Sequence, residues 1–199
     1  MEHVELRVIS LSYGKSHYHS LLKSLSEEQK QKALRFKHEK DQIRSILSSC
    51  LINKLSKEEV KRNENGKPYF ENGPYFNISH SGDYVMMAVS SKEIGLDIEE
   101  NVPKDMTMLI KLFNEAEAKM IKEHADFYYL WCAKESLIKC MGSSINKIKE
   151  IPSLPLNGLK TFKGKDYECK TFIYDEHIVS ITRESNEPFE VNVVTLNKI

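Results

Sequence analysis

Residues 94–99 read Ile94-Gly95-Leu96-Asp97-Ile98-Glu99, an alternation of apolar and acidic side chains. In an extended strand, Ile94, Leu96 and Ile98 share one face, and Asp97 and Glu99 share the other. Carboxylates so placed repel each other. The arrangement gains a use when a hard divalent cation lies between them, because magnesium is held by one or two carboxylates together with substrate phosphates. A third carboxylate stands in Trp131-Cys132-Ala133-Lys134-Glu135-Ser136-Leu137-Ile138-Lys139. Glu135 and Lys139 there fall on one helix face; read alone they form a surface ion pair worth roughly a few tenths of a kcal/mol. Upstream, Phe76-Asn77-Ile78-Ser79-His80-Ser81-Gly82 sets a histidine between two serines beside a glycine turn. Hydroxyls and exposed backbone N–H groups at such a turn bind phosphate, although a lone histidine is more often structural.

These three blocks, in this order, resemble the 4'-phosphopantetheinyl transferases of the surfactin-synthetase type. That family's pattern is a Ser-His block, then Gly-x-Asp-x-Glu, then Trp-x-x-Lys-Glu-x-x-x-Lys. The likeness runs back through Gly66-Lys67-Pro68 and Arg35-Phe36-x-His38, covers roughly residues 26–142, and is poor beyond them. The resemblance implies transfer of phosphopantetheine from coenzyme A to a serine of an apo acyl or peptidyl carrier protein, with release of 3',5'-ADP. It implies one magnesium ion held by Asp97, Glu99 and Glu135, with Lys139 on the pyrophosphate and Lys134 assisting. The general base stays open between Glu135 and, by family position, Glu117. For coenzyme A it implies Lys32, His38, Arg44 and Ser45 near the 3'-phosphate, Lys67 and Pro68 at the adenine, and Ser79 and His80 at the phosphates. Arginine's planar fork and lysine's point charge suit that task; taken one at a time, the same residues read as solvated helix faces. Gln29 stands where relatives often carry another basic residue, so the 3'-phosphate site is expected to be weaker or completed from elsewhere.

The elements that must carry these residues are legible in outline. Val4 to Leu11 alternates as a first strand, and Ser26-Glu27-Glu28-Gln29 has the form of a capping box opening a helix towards Phe36. Ile43, Ile46, Leu47, Cys50, Leu51 and Leu55 recur at helical spacing, with Arg44 off that stripe. Asn65-Gly66 and Asn72-Gly73-Pro74 mark turns, and Tyr75 to Ser81 with Tyr84 to Ser90 form a hairpin. Helices are expected near 105–112, 114–124 and 127–141, the last with Asp126 as N-cap and Gly142 as its stop. Strands follow at 161–163, 169–174, 177–182 and 189–196. The expected class is therefore α+β, with two halves, 1–93 and 94–199, each a small antiparallel sheet backed by helices. The resemblance adds that the halves are related by a pseudo-two-fold about an active cleft. Met106, Met108, Leu109, Leu112 and Phe113, flanked by Lys104 and Lys111, are a candidate docking face for a carrier; core packing is the ordinary reading of such a stripe.

The 199 residues carry 29 basic and 29 acidic side chains, so no global field draws the protein to nucleic acid or membrane. That balance weighs against the rival reading of the three acids as a nuclease or phosphodiesterase site. A binding protein that holds coenzyme A or a carrier without catalysis is the other alternative. Cys50, Cys132, Cys140 and Cys169 show no zinc spacing. No signal-peptide pattern or membrane-length apolar run is visible, so a reduced, cytoplasmic monomer is expected.

Overall fold

The computed structural model describes residues 2–151 and 157–199. Its centre is built by alternation. In β1 (Glu2–Ser10) the inward side chains Val4, Leu6 and Val8 are fully buried. They meet Met86 and Ala88 of β5 (Tyr84–Ser90), and Ile94, Leu96 and Ile98 of β6 (Ile94–Glu100). Val179 and Ile181 of β9 (His177–Glu184) and Phe189 of β10 (Phe189–Thr195) complete this cluster. Two four-stranded sheets thus share one apolar interior. The first runs β10-β1-β5-β4, with β4 spanning Tyr75–Ser81. The second runs β6-β9-β8-β7, with β7 at Asn157–Phe162 and β8 at Lys165–Tyr174.

Helices cover the outer faces. The first sheet is backed by α1 (Leu11–Ser16), α2 (Tyr18–Ser24), α3 (Glu27–Leu34) and α4 (Glu39–Leu55), whose Ile43, Ile46, Leu47 and Leu51 are buried against Ile9, Val85 and Met87. Ser26 caps α3 in a reciprocal capping box with Gln29. A two-stranded ribbon, β2 (Lys61–Arg62) and β3 (Pro68–Tyr69), follows α4. Beyond β6 come α5 (Thr107–Ile110), α6 (Glu115–Met120) and α7 (His124–Cys140). Ala133, Leu137 and Cys140 of α7 pack on Tyr167 and Cys169 of β8. The α+β class with helix-backed, mostly antiparallel sheets is therefore observed.

Several expectations are corrected. The third helix of the second half begins at His124, because Glu123 is the N-cap and Asp126 sits one turn in, where its Oδ2 accepts the Lys122 and Glu123 N–H groups at 2.8 and 3.1 Å. The preceding two helices are single turns rather than the longer stretches expected. Two short helices, α1 and α2, occupy a region for which no element was expected. The expected pair of purely antiparallel sheets is also corrected: β10, late in the chain, pairs in parallel with β1 from Glu2↔Phe189 to Val8↔Thr195, so the first sheet joins three strands from before residue 93 with one from the chain's end. The joint is sealed by Arg183, fully buried, whose guanidinium is paired with Glu2 and lies 5.1 Å from the Phe189 ring centroid. Phe189→Ala would leave this cation without its ring and empty a fully buried site. It is expected to lower stability by about 3–5 kcal/mol, read as a lower urea midpoint at unchanged slope.

Candidate active site

Gly95, Asp97 and Glu99 lie on the face of β6 turned away from the shared core and towards α7. A β-carbon at Gly95 would stand 1.9 Å from the Ser136 carbonyl oxygen and 2.3 Å from the Cys140 nitrogen. Strand and helix can approach this closely only with glycine there. That approach brings Asp97 and Glu99 beside Glu135 and Lys139 of α7. These four, with Ser79, His80 and Trp131, line one small cleft.

The cleft's other wall is β4, and β4 meets β6 through side chains. Asn77 Oδ1 accepts the Leu96 N–H at 2.9 Å, and Ser81 Oγ accepts the Glu100 N–H at 3.0 Å. Ser79 Oγ donates to Asp97 Oδ1 at 3.1 Å, and Ser81 Oγ to a Glu99 oxygen at 3.1 Å. Ser79, expected at the substrate phosphates, is largely buried, lines this cleft and donates its hydroxyl to an acid.

Lys139 Nζ is 2.6 Å from Asp97 Oδ1, 3.2 Å from Ser79 Oγ and 3.9 Å from a Glu135 oxygen. Burial works to lower its pKa, but Asp97 and then Glu135 outweigh that and raise it. Asp97 Oδ2 is buried without a hydrogen-bond partner. Burial first, and then the charge of Asp97, push Glu135 up to about 7. The same two causes, in the same order, raise Glu99.

Glu117 and Lys134 do not reach this cleft. They are buried and paired with each other at 2.6 Å, and Glu117 also closes the capping box of α6 with Asn114. The pair ties α6 to α7. Its partners lie within the protein, which corrects the expectation that Lys134 neutralises charge at the site and removes Glu117 from contact with a substrate there.

A second, larger cleft of about 520 Å³ opens between α3, α4 and the ribbon. Lys32, Arg44 and Ser45 line it as expected, and so does Arg62, which the sequence reading missed. The signal was available as a Lys-Arg pair immediately before the Asn-x-Asn-Gly turn. Burial, and next the Arg62 charge, lower the pKa of Lys32. Arg44 is held by Asp41 Oδ1 at 3.1 Å and by the Gly82 carbonyl at 2.8 Å. Gln29 also lines the cleft, though its amide is engaged with Asn53 and with the cap of α3. His38 sits at the N-cap of α4, exposed, and is not among the lining residues; neither are Lys67 and Pro68. The Lys67 ammonium is paired with Glu93.

His80 lines both clefts. Packing around the ring, and next the Arg44 guanidinium, hold its imidazole below the ordinary value. The larger cleft sets Lys32, Arg44 and Arg62 among Glu28, Asp41, Glu58 and Glu59, and the smaller gathers Asp97, Glu99 and Glu135 around Lys139; the three bases offer partners to an anionic ligand terminus, and the acids call for a cation.

Comparison with known proteins agrees with this arrangement. The family model described as 4'-phosphopantetheinyl transferase, N-terminal, matches residues 13–92, and that of the 4'-phosphopantetheinyl transferase superfamily matches residues 93–182. The chain is 33% identical to 4'-phosphopantetheinyl transferase Sfp of Bacillus subtilis over 170 residues, covering 77% of this chain and 73% of that one. It is 32% identical to 4'-phosphopantetheinyl transferase gsp of Aneurinibacillus migulanus, covering 80% and 70%. At 27% identity it also matches the human L-aminoadipate-semialdehyde dehydrogenase-phosphopantetheinyl transferase, covering 78% and 60%. The chain belongs to the 4'-phosphopantetheinyl transferase family. It is an enzyme of the transferase class. Among the described residues no helix is long and apolar enough to cross a membrane.

The raised Glu135 carboxyl has a measurable consequence. The folded protein binds that proton more tightly than the unfolded chain, whose glutamate titrates near 4.5. Stability of the metal-free protein is therefore full below that value and falls as pH rises to about 7, then levels. The loss attributable to this group is at most about 3 kcal/mol. Urea unfolding in chelator across this range should show the decline, and Glu135→Gln should flatten it.

Proposed function

We propose that this transferase moves 4'-phosphopantetheine from coenzyme A to a serine of an apo carrier protein, acyl or peptidyl, releasing 3',5'-ADP. The observation that carries this reading is that His80 lines both the cleft of Lys32, Arg44 and Arg62 and the cleft of Asp97, Glu99, Glu135 and Lys139. Coenzyme A bears a terminal 3'-phosphate on its nucleotide and a pyrophosphate between nucleotide and pantetheine. The first suits Lys32, Arg44 and Arg62, with Ser45 as a hydroxyl donor. The second suits His80 and Lys139 beside the acids.

The donor set fits magnesium. Three carboxylates bring hard oxygen ligands to one cleft, and a buried Asp97 oxygen lacks a partner. As the structure stands, no three acidic, imidazole or thiol side chains among the described residues converge as a metal cluster. The Lys139 ammonium rests on Asp97 instead. Asp97, Glu99 and Glu135 would hold the ion, which when bound supplies charge neutralisation at the pyrophosphate.

The chain's own residues do the rest. Lys139 carries positive charge to the pyrophosphate, where such transfers need alignment and electrostatic stabilisation more than covalent help. The carrier serine Oγ bonds to the β-phosphorus as the bond from that phosphorus to the bridging oxygen breaks, and 3',5'-ADP departs. The serine proton passes to a carboxylate oxygen of Glu135, the one of the two candidate bases that faces the cleft. The carrier would approach across the surface near α5, where Met108 is 72% exposed and Val102 is also exposed. Met106 and Phe113 of the expected docking stripe are buried and serve the core. Such a reaction belongs in the cytoplasm, where coenzyme A and carrier proteins meet.

Two variants test the assignment. Asp97→Asn keeps the hydrogen-bonding shape and removes the charge; transfer to apo carriers, read by intact-protein mass, should fall on the order of 10²-fold or more. Its melting temperature should hold within a few degrees of wild type. Chelator should abolish wild-type transfer, and activity persisting in both cases would remove the acids from the chemistry. Arg62→Gln should raise KM for coenzyme A about tenfold, the scale of one lost charge-assisted contact, while leaving KM for 3'-dephospho-coenzyme A unchanged. Equal effects on both substrates would place Arg62 elsewhere.

A further inference from the structure

The ribbon between β2 and β3 does something besides lining the larger cleft. Its turn is closed on itself: Asn63 Oδ1 accepts the N–H groups of Asn65 and Lys67 at 3.0 and 2.9 Å. From this rigid turn Asn63 and Asn65 each donate a side-chain N–H to the Gly142 carbonyl at 2.9 Å. Gly142 stands just past α7 at φ 60°, where glycine is favoured, and the Ser143 N–H returns to the Ile138 carbonyl at 3.0 Å. That is a Schellman ending, and it leaves the carbonyls of Cys140 and Gly142 to find partners outside the helix.

Lys67 provides the partner for Cys140. Its Nζ donates to the Cys140 carbonyl at 3.0 Å, to the Ile94 carbonyl at 3.1 Å, and to the Glu93 carboxylate. An ammonium has three protons to donate and no acceptor capacity, so all three are engaged within the protein. Cys140 is the last residue of α7 and directly follows Lys139. Ile94 is the first residue of β6, three before Asp97. One side chain thus joins the end of the helix that carries Glu135 and Lys139 to the start of the strand that carries Asp97 and Glu99. A cation at a helix C-terminus is favoured by the helix dipole as well.

We propose that Lys67 is a positioning residue for this site. It fixes α7 against β6 from a ribbon whose other end, Arg62, faces the cleft of Lys32 and Arg44, and it does not touch the nucleotide with its ammonium. The adenine contact expected for the Lys67-Pro68 segment then falls to its backbone. This inference rests on the transferase reading above for its kinetic consequence, and on hydrogen bonds alone for its structural one.

Lys67→Met, Lys67→Arg and Glu93→Gln distinguish the possibilities. In Lys67→Met, kcat should drop at least about tenfold, the scale expected when catalytic groups shift by a fraction of an ångström. KM for coenzyme A should stay within about twofold. Amide exchange at residues 138–143 and 94–97 should quicken in the substrate-free protein. Lys67→Arg, which keeps a cation with donors, should recover part of kcat and of the protection. Glu93→Gln should move both readouts the same way by less, and it decides the matter if Lys67→Met does not fold. A raised KM at unchanged kcat would make Lys67 a substrate contact and overturn the proposal, as would unaltered exchange. Should the wild-type protein transfer nothing to any apo carrier, the transferase reading falls, and the exchange comparison still decides whether the clamp exists.

Discussion

Three side chains of β4 stand where a neighbouring strand's backbone would otherwise stand. Asn77, Ser79 and Ser81 alternate along one edge, and the groups they meet on β6 are two backbone N–H groups and two carboxylates. An exposed strand edge needs partners, and a backbone ladder between β4 and β6 would supply them by fusing the two sheets into one. Short polar side chains satisfy the same donors while keeping the sheets distinct, which leaves an opening lined from both sides. Asp97, Glu99, Glu135 and Lys139 border that opening. The seam also sets the geometry of the acids, because Ser79 and Ser81 donate to the very carboxylates they face.

Seams of this kind are weak unless the bodies they join are held by something larger. Here the larger force is apolar. Val4, Leu6 and Val8 from one sheet meet Ile94, Leu96, Ile98, Val179 and Ile181 from the other in a single buried cluster. Burial on that scale contributes far more than the handful of polar contacts at the opening. The return of β10 to β1 adds a strand of the second half to the sheet of the first. Arg183 buried between them is tolerated because Glu2, Ser185 Oγ at 3.2 Å and the Glu187 carbonyl at 3.1 Å take up its terminal nitrogens, while its Nε has no partner.

What could be read beforehand follows the range of the interaction responsible. The alternation of 94–99 and the hairpin of 75–90 are local patterns, and both are observed with bounds within a residue. The box at Ser26 is local and correct. The start of α7 was misread because two acids, Glu123 and Asp126, can each cap, and only the packed helix shows which lies outside it. The helices α1 and α2 carry few apolar residues at regular spacing, with only Leu11, Gly14 and Leu21 buried, so period alone could not find them. At the site, Asp97, Glu99, Glu135 and Lys139 converge as their motifs implied. Lys67, Lys134, Ser79 and Glu117 are engaged with partners distant in sequence, and no local pattern announces such partners. Arg62 was legible locally, as the second residue of a Lys-Arg pair before the Asn63–Gly66 turn, but only the packed ribbon shows that it lines the cleft.

The charge distribution shows why those distant pairings matter. The chain is neutral overall, yet Asp97, Glu99 and Glu135 gather in one cleft while Lys32, Arg44 and Arg62, with four acids among them, line another, and His80 borders both. Lys134 is neutralised by Glu117, and Lys67 by Glu93, so neither blurs the boundary. Lys139 alone stands among the acids, and it compensates one Asp97 oxygen while the other has no partner. Burial first, and then the Asp97 charge, raises Glu99 and Glu135 together. On the proposed reading, the terminal phosphate finds direct partners in Lys32, Arg44 and Arg62 in one cleft and faces clustered carboxylates in the other, which favours one orientation of coenzyme A.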